Sequence, residues 1–202
     1  MSLPTIIPTV LNNSSVTSGQ PSASAWSTYR DPVSGVAFQY PRGWQTASSH
    51  NSKGLVASIV VARPYQPLTN TVSILVDVRK KQGDLLAWLG RQLPTGLLLI
   101  DAKALENPES AKTYNARVGD VPAVFTYAPA HGQVVDTAAL HTVDSQYFYQ
   151  ATYLGGRPDN LDDRAAFLHL LNTLTLTGTT ASGLTLTTTT AFTQGVDPAK
   201  WK

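Results

Sequence analysis

The sequence predicts an α+β domain: an antiparallel β-sheet flanked by helices, with extended tails at both ends. Three observations carry this. Thr71 to Lys80 alternates with period two, placing Val72, Ile74, Val76 and Val78 on one side and Thr71, Ser73, Asp77 and Arg79 on the other. Two pairs of alternating runs between residues 111 and 154 are joined by Gly119-Asp120 and Asp144-Ser145, short connections of the kind hairpins use. Two other segments place Leu and Phe residues at helical spacing behind acidic starts. An amphipathic helix needs a surface to cover, and a one-sided sheet supplies it.

Residues 1–25 form a Pro/Ser/Asn/Thr-rich arm with one apolar patch, Ile6, Ile7, Val10 and Leu11. Such a composition orders itself poorly, so it reads either as a linker or as an arm that docks on a neighbour. The domain proper is expected at 26–177. Its first part, 26–82, reads as an antiparallel meander. Leu55 to Ala62 is apolar on both parities and is expected to be covered on both faces. Pro64 and Pro67 interrupt the chain before the next strand.

Asp84 is a helix N-cap, with Leu85, Leu86, Leu89 and Leu93 behind it and Pro94 and Gly96 as the stop. The hairpins follow, Tyr114–Val118 with Val121–Tyr127 and Thr137–Val143 with Gln146–Leu154. A second helix starts after Pro158, capped by Asp159 or Asn160. Asp162 and Asp163 lie in its first turn, where the helix dipole favours carboxylates, and Phe167, Leu170, Leu171 and Leu174 form its apolar face. Residues 178–202 are a Thr-rich tail in which Leu184 to Thr187 alternates well enough for an added strand.

Composition excludes several functions. A net charge of +2 is too small for a nucleic-acid surface, and the only basic run, Arg79-Lys80-Lys81, reads as a solvated strand end. With no cysteine there is neither a disulfide, nor a thiolate nucleophile, nor a cysteine metal site. No run reaches 18 apolar residues, so no membrane insertion by this chain is expected. The opening Met1 to Pro8 lacks the basic start of a secretory leader. An extracytoplasmic location is expected if a leader has been removed, and a cytoplasmic or particle-associated one otherwise.

Chemistry-bearing motifs are scarce. There is no phosphate loop, nucleophile elbow, zinc helix or dinucleotide fingerprint. His50 and His131 fall in expected loops, and His169 points away from Phe167 and is expected to be solvated. His141 lies in a strand near Asp136 and Asp144 and is the one histidine that a small hydrolase could use as a base. Asp162 and Asp163 diverge by about 100° on a helix, so capping explains them better than paired catalysis. The loose Asp101, Glu106 and Glu109 group lacks the ligand density of a calcium loop. Tyr147, Tyr149 and Tyr153 share one strand parity; such a stripe either binds a small ligand or packs beneath a helix, and the helices' need for a sheet favours packing. Trp44 reads as a packing anchor at one end of the sheet.

The stretch Tyr29-Arg30-Asp31…Gly35-Val36-Ala37-Phe38-Gln39-Tyr40-Pro41-Arg42-Gly43-Trp44 resembles the opening of the PsbP/Mog-like superfamily, the group that includes the extrinsic photosystem II protein and the DcrB and LpqN lipoproteins. Val118-Gly119-Asp120-Val121-Pro122-Ala123 and the closing helix support the likeness, which spans about residues 26–177. The resemblance implies an antiparallel sheet sandwiched by helices and a binding or assembly role without enzyme activity. Neither the histidine-rich metal positions of the photosynthetic members nor a lipoprotein cysteine is matched, so no metal site or other cofactor is carried over.

The expected function is therefore a non-enzymatic module that docks on a protein partner or multiprotein assembly through its arms. Ile6, Ile7, Val10, Leu11 and Trp201 are the expected contacts, because exposed apolar groups on polar arms are otherwise a liability. Deleting residues 1–25 is expected to spare the fold and abolish association. The alternatives are a ligand-binding ectodomain using the Tyr147/Tyr149/Tyr153 face, or a hydrolase using His141.

Overall fold

Alternation makes most of this molecule. A computed structural model describes residues 25–52, 54–64, 72–92, 116–128, 137–155, 161–177 and 183–186. They form ten strands and two helices: β1 (Trp26–Arg30), β2 (Ala37–Pro41), β3 (Gln45–Ser52), β4 (Leu55–Ala62), β5 (Ser73–Lys80), α1 (Leu85–Gln92), β6 (Ala116–Val118), β7 (Val121–Ala128), β8 (Thr137–Val143), β9 (Tyr147–Leu154), α2 (Leu161–Asn172) and β10 (Leu184–Leu186). Eight strands make one antiparallel sheet in the order β10-β6-β7-β8-β9-β5-β4-β3, while β1 and β2 pair as a separate ribbon.

This corrects the expected fold class. The described part of the chain is mostly β, and the helix-flanked α+β sandwich, which the superfamily resemblance also implies, gives way to a large antiparallel sheet with two helices among the described residues. The reason lies in segments that carry no apolar stripe. Gln45–Ser52 and Leu184–Leu186 extend the sheet at its two edges, and the β1–β2 ribbon supplies cover that helices were expected to give.

The connections follow local chemistry. In the turn between β1 and β2, the Asp31 carboxylate accepts from the backbone of Val33 (3.2 Å) and Ser34 (2.6 Å) and from the Ser34 hydroxyl (2.7 Å). Gly35 closes that turn at φ +75°, a conformation side chains resist, and a Cβ there would lie 3.5 Å from Thr177 Oγ1. The turn at Pro41–Trp44 then directs the chain out of the ribbon and into β3, with Trp44 N donating to Pro41 O at 3.1 Å. The meander expected over 26–82 is thus two units: a ribbon, and the β3-β4-β5 portion of the main sheet.

Two further hairpins, β6–β7 and β8–β9, pair in register about Gly119-Asp120 and Asp144-Gln146. β9 returns to lie against β5, matching Ile74 with Tyr153, Val76 with Ala151 and Val78 with Tyr149. Asp84 caps α1 as its sequence predicts, accepting from Ala87 N at 3.0 Å.

Two cores lie on opposite faces of the sheet. The larger joins Ile59, Val61, Ile74, Val76, Val78, Phe125, Leu140, Tyr149 and Tyr153 to Phe167, Leu170 and Leu171 of α2 and to Val36 and Phe38 of the ribbon. The smaller joins Leu85, Trp88 and Leu89 of α1 to Val124 and Phe148. Trp88 stacks on Phe148, with ring centroids 5.0 Å apart. The double cover expected for β4 is not met: Val60, on its α1-side face, remains 37% exposed because α1 sits over β7, β8 and β9.

Candidate functional site

The charged and aromatic side chains inside the molecule are mostly joined to one another. Asp31 is a hub: besides the turn amides, its carboxylate meets His50 Nε2 at 2.7 Å. Burial pushes its pKa up, but hydrogen bonds from His50 and Ser34 outweigh this and hold it below the usual carboxylate range. The pair ties the ribbon to β3, so His50 stands in a strand rather than in the expected loop. Arg63 donates through one nitrogen to both oxygens of Asp163 (2.8 and 3.2 Å), fixing the start of α2 against the end of β4. Asp163 therefore anchors the helix to the sheet in addition to lying in its first turn.

His169 is not solvated as expected. Its ring stacks on Trp26 at 3.6 Å and its Nε2 lies 2.9 Å from Gln39 Oε1, because the ribbon covers the outer side of α2. Burial lowers its pKa.

His141 occupies a different setting. It is 0% exposed on the α1 face, 6.2 Å from the Trp88 ring, and neither ring nitrogen has a hydrogen-bond partner among the described residues. Desolvation lowers its pKa to about 4. A catalytic base needs an orienting partner and access to substrate, and His141 as placed has neither. Asp144 is committed elsewhere: it accepts from Gln146 N and Tyr147 N, both at 2.7 Å, and from the Tyr149 hydroxyl. Asp136 lies outside the described residues.

Of the tyrosine stripe, Tyr149 and Tyr153 are 1% and 0% exposed in the larger core, and Tyr147 packs at its border. The Tyr149 hydroxyl accepts from Thr177 N at 3.1 Å, while burial and the bond to Asp144 raise its pKa. Ile6, Ile7, Val10, Leu11 and Trp201 lie outside the described residues, as do His131 and the Asp101, Glu106 and Glu109 group. No group of three or more His, Cys, Asp or Glu side chains could hold a metal among the described residues.

What the arrangement leaves open is backbone. β3 is the last strand of the sheet and pairs only with β4 among the described residues, from Gln45 opposite Ala62 to Ser52 opposite Leu55. Gln45 to Ser49, Asn51 and Ser52 are exposed, with His50 half-buried. Every second residue of such a strand turns its N–H and C=O away from the sheet. Natural edges are blunted by charge, proline, bulges or shortness; this strand holds no Lys, Arg, Asp, Glu or Pro and is extended from Gln45 to His50, before Asn51 turns to φ +50°. The opposite edge, β10, has three residues. Neither parity of β3 is apolar, which hides it in the sequence; the available signal is the run Gln45–Ser52, without Lys, Arg, Asp or Glu, between the Trp44 turn and Lys53-Gly54. Protein-family models, curated proteins and solved structures compared with this chain give no match.

Proposed function

We propose that this chain is a protein-binding module of an assembly, and that the free β3 edge is its docking element. The long, exposed, unblocked edge strand supports this reading. Strand addition gives affinity through main-chain hydrogen bonds, and a strand already ordered by β4 and by the Asp31–His50 tie presents them without a folding cost. The internal ion pairs and stacked rings, in turn, hold the ribbon and α2 as a rigid platform behind that edge. The terminal arms, with Ile6, Ile7, Val10, Leu11 and Trp201, remain the second proposed contact.

The test is a photo-crosslinking residue at Ala47 in the full-length chain, expressed in its native cells. One defined foreign polypeptide is expected to crosslink there and not from Thr185 on the opposite edge. Deleting residues 1–25 reports separately on the arm. A full chain that crosslinks to no foreign protein from Ala47, with or without the arm, overturns the reading.

A further inference from the structure

The β3 edge also fits a second copy of the same strand. We infer that two chains pair antiparallel through the extended run Gln45–His50, joining their sheets edge to edge. This goes beyond the docking reading, since a second copy would compete with a foreign partner for the same edge, and it rests on that reading only for the accessibility of the edge.

Length is the first argument. Only β3 against β3 uses most of the extended run Gln45–His50: centred on Ala47 or Ser48, the pairing engages five of these residues, whereas β10 offers three described ones. Symmetry is the second. Antiparallel pairing of a strand with its own copy has a two-fold axis normal to the sheet, so it consumes both free edges and closes at the dimer. A β3-to-β10 contact would leave an edge at each end and grow without limit.

Charge is the third argument. β3 contains no carboxylate, ammonium or guanidinium, and its one titratable group, His50, is held by Asp31. Identical strands therefore meet without like-charge repulsion, the usual obstacle to self-pairing. Side-chain size is the fourth. Gln45, Ala47 and Ser49 occupy one side of the strand and Thr46, Ser48 and His50 the other, small and mostly polar on both. They offer a foreign peptide little beyond main chain to read, whereas Ser, Thr and Asn opposite one another form cross-strand hydrogen bonds. The symmetry requires directly opposed residues to share a face, so the axis lies midway between one residue and its own copy, and the middle of the strand, Ala47 to Ser49, is where it falls.

The experiment is sedimentation velocity of the full chain over a concentration series, on the native sequence and on a Thr46→Lys, Ser48→Lys pair. The native chain is expected to move from its 21.6 kDa monomer toward twice that mass. The lysine pair is expected to weaken association at least tenfold while leaving the monomer's melting temperature unchanged, since both positions are exposed. Because the chain has no cysteine, single cysteines at Ala47, Ser48 and Ser49 give a readout independent of the lysines. Disulfide-linked dimers should form fastest at one of these and slowly at a Thr185→Cys control. A chain that stays monomeric, or a dimer indifferent to the lysines with no faster linkage at 47–49 than at 185, overturns the proposal. A monomer that still crosslinks a foreign protein from Ala47 removes self-pairing and keeps the docking reading; a β3-linked dimer with no foreign partner does the reverse.

Discussion

The two faces of the sheet solve the same problem with different completeness. On the α2 face, Phe167 stacks on Tyr153 at 5.5 Å, the helix start is pinned by Arg63 and Asp163, and its outer side is roofed by Trp26. On the α1 face, an eight-residue helix covers Val124 and Phe148 and seals His141 with neither ring nitrogen satisfied. The contrast teaches that burial alone does not rank the two. A buried polar group left without a partner costs roughly 1–3 kcal/mol, so the α1 face returns part of what its apolar contacts contribute. The α2 face is expected to carry global stability, and the α1 face to open first.

The largest effect should come from Phe167→Ala. Truncating a fully buried ring leaves a cavity, and about 3–5 kcal/mol of unfolding free energy should disappear, measured by denaturant titration. Trp88→Ala is expected to cost less, about 2–3 kcal/mol, because α1 can detach without dismantling the sheet. Hydrogen exchange checks the distinction: α1 amides should lose protection in the Trp88 variant while those of α2 keep theirs. Equal loss in both helices would make the two faces one cooperative unit.

Acid sharpens the contrast further. The unfolded chain protonates His141 near pH 6.5, and the folded chain only near 4, so more protons are bound by the unfolded state between those values. Stability should therefore fall as pH drops through that interval, by on the order of 3 kcal/mol at about 1.4 kcal/mol per pKa unit. His169, whose pKa is also lowered, acts in the same direction. Asp31 has the opposite chemistry in a separate window: its lowered carboxyl stabilises the fold above the ordinary value of 3.8, and that contribution is lost only as pH falls through the folded value below it. The smallest effect is a gain. His141→Phe removes the orphaned nitrogens while keeping a ring beside Trp88, and should add about 1 kcal/mol at pH 7 and flatten the slope between pH 6.5 and 4. A variant with the native slope would assign that slope to other groups.

Much of the fold was legible where a single residue type decides the local geometry. Asp84 capped its helix, Gly119 sat at the predicted hairpin, and Val72, Ile74, Val76 and Val78 turned inward together. The overall class was misjudged because β3 reads as polar on both sides; it is a strand through its pairing with β4, a tertiary cause that single-strand propensity does not encode. His169 was misplaced for a similar reason. Helical geometry correctly set it away from Phe167, but the Trp26 that covers it comes from the other end of the chain. The candidate edge was hidden altogether, since an edge is a property of strand order and no residue type marks it.

That ribbon has a consequence for the order in which the chain assembles. Ala37 exchanges two backbone hydrogen bonds with Thr175, at 2.8 and 3.1 Å, Gln39 N donates to Thr173 Oγ1, and Thr177 donates its hydroxyl to Ser34 O. Each contact joins residues more than 130 positions apart. The Asp31–His50 pair can form early, but nearly all of the described chain must be synthesised before the ribbon can make these contacts with the segment after α2. On the ribosome, β3, β4 and β5 can pair before the segment after α2 exists, so the ribbon completes its seat late. Long-range closure of this kind slows folding. It also makes the final docking of the ribbon the step at which a nascent molecule becomes a finished one.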